Sequence, residues 1–209
     1  DREAVLALPE KVAAAHGPTD GLTNIAGIIQ PFVRFNDLDH EAIERVLDVN
    51  LYGTINTVKA FLPHLLERPV AHLCNVASMG AFLPVPGQTI YGASKAAVKL
   101  MTEGLYAELL DTAVGVSLVF PGAVDTDITA HSGVQTPGMA SEGDGDERAS
   151  KHRTTAANEA ARIILDGVES DRLHIYVGSD SRLMGRLTRI SPRRATHLIH
   201  SRMKDLLDA

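Results

Sequence analysis

The run Ala71-His72-Leu73-Cys74-Asn75-Val76-Ala77 is mostly apolar and is followed directly by Ser78 and a stretch rich in glycine and proline. Three other short runs share its continuous hydrophobicity, at residues 21–27, 114–120 and 173–177. Strands that are apolar at nearly every position are typical of a parallel sheet buried on both faces. Because helical patterns separate the four runs, the sequence predicts an α/β fold with a doubly wound parallel sheet.

The segments between these runs have apolar residues at helical spacing. Helices are expected over residues 1–16, 39–66, 89–110 and 155–168. The second of these is either one long helix or two helices joined near Asn50. Asp1 and Asp39 stand where each can cap a helix N-terminus. Beyond Gly178, two further short amphipathic helices are expected, separated by Ser191-Pro192.

Length and composition restrict the class of protein. A chain of 209 residues, 44% of them hydrophobic, can bury one sizeable core and fits one domain better than two. The single cysteine, Cys74, excludes an intramolecular disulfide, and the nine histidines show no metal-ligand spacing, so no metal site is predicted. No stretch reaches the roughly 20 apolar residues that span a bilayer, and the charged start Asp1-Arg2-Glu3 does not look like a signal peptide. We therefore expect a soluble, cytoplasmic protein.

Charge divides the chain into an acidic body and a basic tail. Residues 181–209 contain seven Arg/Lys and two Asp/Glu, a balance of +5, which leaves −11 for residues 1–180 out of the net −6. The plainer interpretation of the tail is a solvated helical face, and the alternative is contact with another subunit, an anionic membrane surface or an acyl-carrier partner. Nucleic acid is not an expected partner, because the tail has no aromatic residue for base stacking.

Residues 127–153 differ in composition from the rest of the chain. Four glycines, one proline and the acidic run Glu142-Gly143-Asp144-Gly145-Asp146-Glu147 predict a flexible segment. Loops of this length are usually either lids or disordered linkers. We interpret the segment as a flexible substrate lid, with a plain flexible insertion as the alternative.

The pattern Tyr91-Gly92-Ala93-Ser94-Lys95 carries the first chemical signal. Residues four apart lie on one helix face, so the phenol and the ammonium can share a pocket. A nearby cation favours the phenolate, and lowering a phenol pKa from about 10 to about 7 takes roughly 4 kcal/mol. Taken alone the spacing also fits an ordinary surface pair. Ser78, at the end of the second predicted strand, adds a hydroxyl where open α/β sheets bind ligands.

These residues, in their order and spacing, resemble those of short-chain dehydrogenases/reductases from Asp1 to about Gly178. The matching stretches are Asn24-Ile25-Ala26-Gly27, Asp48-Val49-Asn50-Leu51-Tyr52-Gly53, Ser78, Tyr91 with Lys95, and Pro121-Gly122-Ala123-Val124-Asp125-Thr126. The resemblance implies a Rossmann-like fold, and it implies an NAD(P)-dependent oxidoreductase that interconverts a secondary alcohol and a ketone by hydride transfer. Residues 1–178 would form a partial Rossmann-like catalytic domain, with residues 179–209 as the basic helical tail.

The resemblance also implies roles for individual residues. Tyr91 would be the general acid/base, and Ser78 would orient and polarise the carbonyl. Lys95 would lower the phenol pKa and bind the nicotinamide ribose. Asn50 would hold a water that links Lys95 to bulk solvent, although it can also be an asparagine that simply bends its helix.

A dinucleotide site is implied by the same resemblance. Asn24, Ala26 and Gly27 would approach the adenosine ribose, and Val49 would border the adenine. The nicotinamide would be surrounded by Pro121, Gly122, Val124 and Thr126. Tyr91 and Lys95 would also bind the cofactor. The plainer interpretation of the Pro-Gly turn is an ordinary end to a strand. Whether NAD or NADP is the cofactor stays open.

The chain departs from the family pattern at its start. No glycine-rich turn precedes Asn24, so we expect the strands that usually carry it to be missing. Two explanations compete: a truncated or proteolysed piece of a normal enzyme, or a shortened protein that lost cofactor binding and serves as an oligomerisation or binding module. Absence of the strands next to the first predicted strand would expose an apolar edge, which favours the first explanation. Ile25 also stands where asparagine is frequent, without reaching the chemistry.

Partners follow from the same resemblance. Family members commonly form homodimers or homotetramers through the helices that hold Asn50 and Tyr91, and we expect the same here. The apolar residues expected at that contact are Ala96, Ala97, Val98, Leu100, Met101 and Leu105. The substrate is expected to be a small alcohol or ketone. Nucleotide-sugar epimerases share the Tyr/Lys pair, but they normally add a larger C-terminal domain than the residues after Gly178 can form.

Overall fold

The computed structural model describes residues 1–134 and 154–203, and within them four strands form one parallel sheet. In chain order the strands are β1 (Gly21–Asn24), β2 (Ala71–Val76), β3 (Val114–Pro121), β4 (Val124–Asp125), β5 (Thr155–Ala156) and β6 (His174–Val177). The order in the sheet is β1-β2-β3-β6, and β4 pairs with β5 alone. Each of the four apolar runs in the sequence therefore supplies one strand of the main sheet.

Helices connect these strands. They are α1 (Arg2–Leu6), α2 (Leu8–His16), α3 (His40–Leu47), α4 (Gly53–Leu66), α5 (Thr89–Leu109), α6 (Ile128–Ser132), α7 (Ala157–Glu169), α8 (Ser179–Ile190) and α9 (Pro192–Met203). A π-helical turn, Asp48–Tyr52, joins α3 to α4, and a short 3-10 turn, Met79–Ala81, follows β2.

Helices cover both faces of the sheet. Leu73 of β2 lies in a core cluster with Val58 of α4 and Leu109 of α5. Its neighbour Cys74 packs on the opposite face with Ala160 of α7. Successive residues of a strand point to opposite faces, so a strand that is apolar throughout feeds two cores. The predicted α/β class and doubly wound parallel sheet are confirmed.

Some predicted helix limits differ from the structure. The helix expected over residues 1–16 is divided at Ala7, because Pro9 in the first turn of α2 has no N–H to continue the hydrogen bonds of α1. Asp1 caps α1 as predicted, accepting from Glu3 N at 2.9 Å. Asp39 occupies the N-cap position of α3 but makes no side-chain capping bond. Residues 155–156, predicted helical, form β5 instead, and α7 begins after them.

The two C-terminal helices pack against the sheet-bearing part of the chain. Met184 of α8 and Ala195 of α9 share a core cluster with Leu83, which follows the 3-10 turn after β2. The Ser181 hydroxyl donates to the Phe120 carbonyl of β3 at 2.7 Å. The apolar residues that predicted these two helices therefore pack in a hydrophobic core cluster. Residues 204–209 of the predicted tail and 135–153 of the predicted lid lie outside the described residues.

Candidate active site

The four residues predicted to be catalytic lie at the carboxyl edge of the sheet. Ser78 follows β2, Tyr91 and Lys95 occupy the first two turns of α5, and Asn50 lies in the π-helical turn. The Ser78 hydroxyl lies beside the Tyr91 ring, because both are close to Gly80. Asn50 Nδ2 donates to Ser94 Oγ, next to Lys95, at 3.0 Å. The fold therefore brings together four side chains that are distant in sequence.

Ser78 is held in place by the turn that it begins. Its Oγ accepts from the backbone N–H of Gly80 at 3.0 Å, as in a helix N-cap. A Cβ on Gly80 would lie 3.3 Å from Tyr91 Cε1 and 3.4 Å from Ser78 Oγ. Glycine at this position therefore lets the turn approach the phenol ring closely. The result is a fixed hydroxyl beside the phenol.

Desolvation has the largest influence on the pKa of the Tyr91 phenol. Burial raises the pKa of Tyr91, and the hydrogen bond with Ser78 opposes this rise. Removal from water penalises the phenolate, which accounts for the rise. Tyr91 therefore holds its proton at neutral pH. The predicted effect of Lys95 on this pKa stays a prediction.

Lys95 is the only lysine buried within the described residues, and its side chain is 3% exposed. Its Nζ donates to the Val76 carbonyl, at the end of β2, at 3.1 Å. The same burial lowers the pKa of Lys95 to about 8. A Cβ on Gly27 would lie 3.0 Å from this Nζ, so the turn after β1 passes directly over the ammonium. An ammonium has three donors, so the bond to Val76 leaves donor capacity facing that turn.

Asn50 is fully buried and joins two segments. Its Oδ1 accepts from Ile28 N at 2.8 Å, and its Nδ2 donates to Ile28 O at 2.9 Å as well as to Ser94 Oγ. Both N–H groups of the amide are therefore used within the protein, and the predicted role in holding a water stays a prediction. The π-helical turn around Asn50 fits the frequent occurrence of such turns at functional sites.

The predicted adenosine-side residues lie in or beside the turn after β1. The Asn24 side chain makes its hydrogen bonds within the protein. Its Nδ2 donates to Asn75 Oδ1 at 2.8 Å, and its Oδ1 accepts from Thr57 Oγ1 at 2.7 Å. Ala26 is exposed, and Val49 is half-buried in the π-helical turn. The structure thus gives Asn24 a structural role in aligning β1 with β2 and α4.

The predicted nicotinamide loop follows β3. Pro121 ends that strand, and the Gly122 N–H donates to the Val177 carbonyl of β6 at 2.9 Å. Val124 pairs with Thr155 in the small β4–β5 ladder, and Thr126 is exposed. The loop therefore lies at the same sheet edge as Ser78, with its backbone tied to β6.

Three buried polar residues near the site were not predicted from the sequence. Gln30 is fully buried, and its Oε1 accepts from Ile90 N at 2.7 Å and from Tyr91 N at 3.0 Å. Gln88 Nε2 donates back to Gln30 O at 2.8 Å. Asn75 was interpreted only as part of an apolar strand, and its Nδ2 donates to Thr102 Oγ1 at 2.9 Å. A polar residue within an apolar run was the available signal for Asn75, whereas nothing in the sequence indicated Gln30.

The described residues contain neither a helix that could span a membrane nor a cluster of metal-ligand side chains. Across residues 1–134 and 154–203, no helix is long and apolar enough to cross a membrane. In the same ranges, no three His, Cys, Asp or Glu side chains are grouped in a way that could hold a metal ion.

Known proteins resemble this chain in sequence. It is 43% identical over 139 residues to EphD of Mycobacterium tuberculosis, named as an oxidoreductase, a match that covers 66% of this chain and 23% of EphD. It is 32% identical over 200 residues to SadH of Mycobacterium tuberculosis, also named as an oxidoreductase, covering 91% of this chain and 69% of SadH. The chain thus spans less than a quarter of EphD and about two thirds of SadH.

Solved structures resemble its fold. A short-chain dehydrogenase from Burkholderia cenocepacia, in complex with NADP, has a TM-score of 0.74 and 26% identity and covers 97% of this chain and 74% of that one. A short-chain dehydrogenase/reductase from Burkholderia phymatum, in complex with NAD, has a TM-score of 0.74 and 25% identity, with coverages of 91% and 73%. The sequence model of the family described as short chain dehydrogenase matches residues 1–136. On the match to this family model and the extended similarity to SadH, the chain belongs to the short-chain dehydrogenase family.

Proposed function

We propose that this protein is an NAD(P)-dependent oxidoreductase that interconverts a secondary alcohol and a ketone. The observation that carries the proposal is the cluster of Ser78, Tyr91 and Lys95 at the carboxyl edge of the parallel sheet, with Asn50 beside it. Ligands of open α/β sheets bind at this edge. The relatives EphD and SadH are named as oxidoreductases, which supports the same reaction class.

Tyr91 and Ser78 would handle the substrate oxygen. In ketone reduction, the carbonyl carbon gains a hydride, and the oxygen takes the phenolic proton of Tyr91. In alcohol oxidation, both transfers are reversed, and the phenolate takes the hydroxyl proton. The Ser78 hydroxyl would donate to the oxygen as its negative charge develops. In the reductive direction the acid is the phenol of Tyr91, and burial raises its pKa, which favours the protonated form.

The chain's own residues fit the nicotinamide end of a dinucleotide. A bound NAD(H) or NADP(H) supplies the hydride or accepts it. Among the described residues the buried Lys95 ammonium donates only to Val76, which leaves donors for ribose hydroxyls, and Gly27 permits close approach over it. Pro121, Gly122, Val124 and Thr126 would line the nicotinamide side. The crystal structures of relatives with NADP and with NAD support this cofactor class without deciding between the two.

Self-association is part of the proposal, through the exposed face of α5. Leu100 is 70% exposed there, whereas Val98 is buried against β3 and is removed from the contact that the sequence predicted. Replacement of Leu100 by Glu would place a charge in a homo-oligomeric contact. Leu165 of α7 is 61% exposed and gives a matched control outside this face.

The test is an oxidation and reduction screen on the natural full-length protein. Secondary alcohols and ketones of several classes are offered with NAD(H) and NADP(H), and the nicotinamide absorbance is followed. We expect turnover that Tyr91→Phe reduces by about a thousandfold, within the range of one lost general acid/base. Tyr106→Phe, on the exposed side of the same helix, is the matched control and keeps full activity. A folded protein that neither binds nor turns over any dinucleotide would instead support the binding-module alternative.

A further inference from the structure

The first turn of α8 holds the loop that follows β3. The Ala123 N–H donates to Asp180 Oδ2 at 3.0 Å. The Ser181 hydroxyl donates to the Phe120 carbonyl, one residue before Pro121, at 2.7 Å. Three residues of the loop region, Phe120, Gly122 and Ala123, are thus tied to residues 177–181, because the Gly122 N–H also donates to the Val177 carbonyl.

The Asp180 carboxylate fills a space that two glycines leave open. A Cβ added to Gly122 would overlap both carboxylate oxygens of Asp180, and a Cβ added to Gly178 would overlap Oδ1. Gly178 also has a φ of +89°, a conformation that L residues with side chains rarely adopt. The carboxylate is therefore enclosed by backbone on two sides. Neither glycine can gain a side chain while Asp180 keeps its position.

The hydrogen bond between Asp180 and the Ala123 N–H restrains the backbone of the loop. A carboxylate that accepts from a backbone N–H makes a stronger and shorter bond than a neutral acceptor does. Within the described residues Asp180 forms no ion pair, and its carboxylate accepts a hydrogen bond from the Ala123 N–H. The Ala123 carbonyl is also occupied, because it accepts from Thr155 N at 2.9 Å. The orientation of the peptide groups in the loop is therefore set from both sides.

We propose that Asp180 is a positioning residue for dinucleotide binding: it holds the loop over residues 121–124 in the conformation that faces the nicotinamide. The inference deepens the proposed function and rests on it, because the loop's ligand is the nicotinamide end of NAD(H) or NADP(H). It assigns this loop's geometry to α8, a helix beyond the residues 1–136 that the family model matches. Asp180 itself touches the loop and acts through it.

The first test measures the loop without any cofactor. Hydrogen exchange of a peptide that covers residues 121–126 is followed by mass spectrometry in the full-length protein. Asp180→Ala should raise the exchange rate of this peptide by about tenfold, as expected when one charge-assisted hydrogen bond is lost. Asp180→Asn keeps an oxygen acceptor of the same shape and should stay within about threefold of wild type. Ser179→Ala, an exposed neighbour, is the control. Unchanged exchange in Asp180→Ala would overturn the proposal.

The second test separates positioning from general stability. Asp180→Ala should raise the KM for the dinucleotide by about tenfold and leave the KM for the alcohol or ketone within about twofold. Asp180→Asn should restore the KM for the dinucleotide. Equal changes in both KM values, or a loss of activity that follows only the fraction of folded protein, would contradict the proposal. If the wild type turns over no dinucleotide, the proposed function fails, and hydrogen exchange still decides whether Asp180 holds the loop.

A third measurement tests the packing between Gly122 and Asp180. Gly122→Ala should displace the carboxylate and weaken dinucleotide binding. Removal of the carboxylate makes room for the added methyl group, so Gly122→Ala combined with Asp180→Ala should bind no more weakly than the weaker single variant. Losses that simply multiply in the double variant would show that the two residues act independently.

Discussion

The buried ammonium of Lys95 makes the stability of the protein depend on pH in a calculable way. Its pKa falls from the ordinary 10.5 to about 8, because burial disfavours the charged form. A folded-state pKa below the unfolded value means that the unfolded chain binds more protons between these two values, so the free energy of unfolding rises with pH across that window. At about 1.4 kcal/mol per pH unit, the contribution of Lys95 between pH 7 and pH 10 amounts to about 2 to 3 kcal/mol.

Urea unfolding at several pH values measures this contribution. Tyr91 is first replaced by Phe so that its own titration does not interfere, and Lys95→Met is then compared with that background. The Met variant should be the more stable protein at pH 7 by about 3 kcal/mol, and this difference should shrink to about 1 kcal/mol at pH 10. Lys59→Met, on the exposed side of α4, is the control and should give parallel curves. Parallel curves for Lys95→Met would refute the desolvation argument.

Three further predictions concern other parts of the molecule. Gly27→Ala should displace the Lys95 ammonium, because the added Cβ would lie 3.0 Å from Nζ, and it should lower kcat by about tenfold. At Gly104 an added Cβ meets nothing within 4 Å, so Gly104→Ala should stabilise α5 by about 0.5 to 1 kcal/mol. Burial lowers the pKa of His72 from its ordinary 6.5, and the charge of Asp171 opposes this shift. The stability advantage of wild type over His72→Gln should therefore shrink as the pH falls below 6.5. A difference in the free energy of unfolding in urea that stays constant with pH would exclude this effect of His72. Leu100→Glu should lower the molar mass measured by light scattering, and a wild type that is already monomeric would contradict the proposed contact.

The fold was largely predictable because its strands carry a strong signal. Runs that are apolar at nearly every position occur where both faces of a strand are buried, and each of the four such runs forms a strand of the parallel sheet. The limits of helices were less predictable. Residues 155–156 have helical neighbours, yet they pair with β4, which lies about 30 residues earlier in the chain, and no local periodicity reports such a pairing.

The candidate site was predictable where residues follow a spacing and not where they act across the fold. Tyr91 and Lys95 lie on one helix face, so their separation in sequence predicts their proximity. Gln30 caps the start of α5 from a loop 60 residues away, and Asp180 reaches Ala123 across 57 positions. Such contacts depend on how strands are ordered in the sheet. The rise in the pKa of Tyr91 on burial was not predictable from the sequence either, because desolvation depends on the three-dimensional structure and not on helix spacing.

The central claim is that Tyr91 transfers the proton that accompanies hydride transfer to a ketone. Its most direct test is a single-turnover reaction of the natural full-length protein with a nicotinamide cofactor deuterated at the reactive ring carbon, in which the alcohol product is analysed by mass spectrometry. We predict deuterium on the carbinol carbon with wild type and a rate that falls by about a thousandfold in Tyr91→Phe, with cofactor binding retained. Deuterium transfer at an undiminished rate in Tyr91→Phe would contradict the assignment of Tyr91, and the absence of deuterium in the product of the wild type would contradict hydride transfer itself.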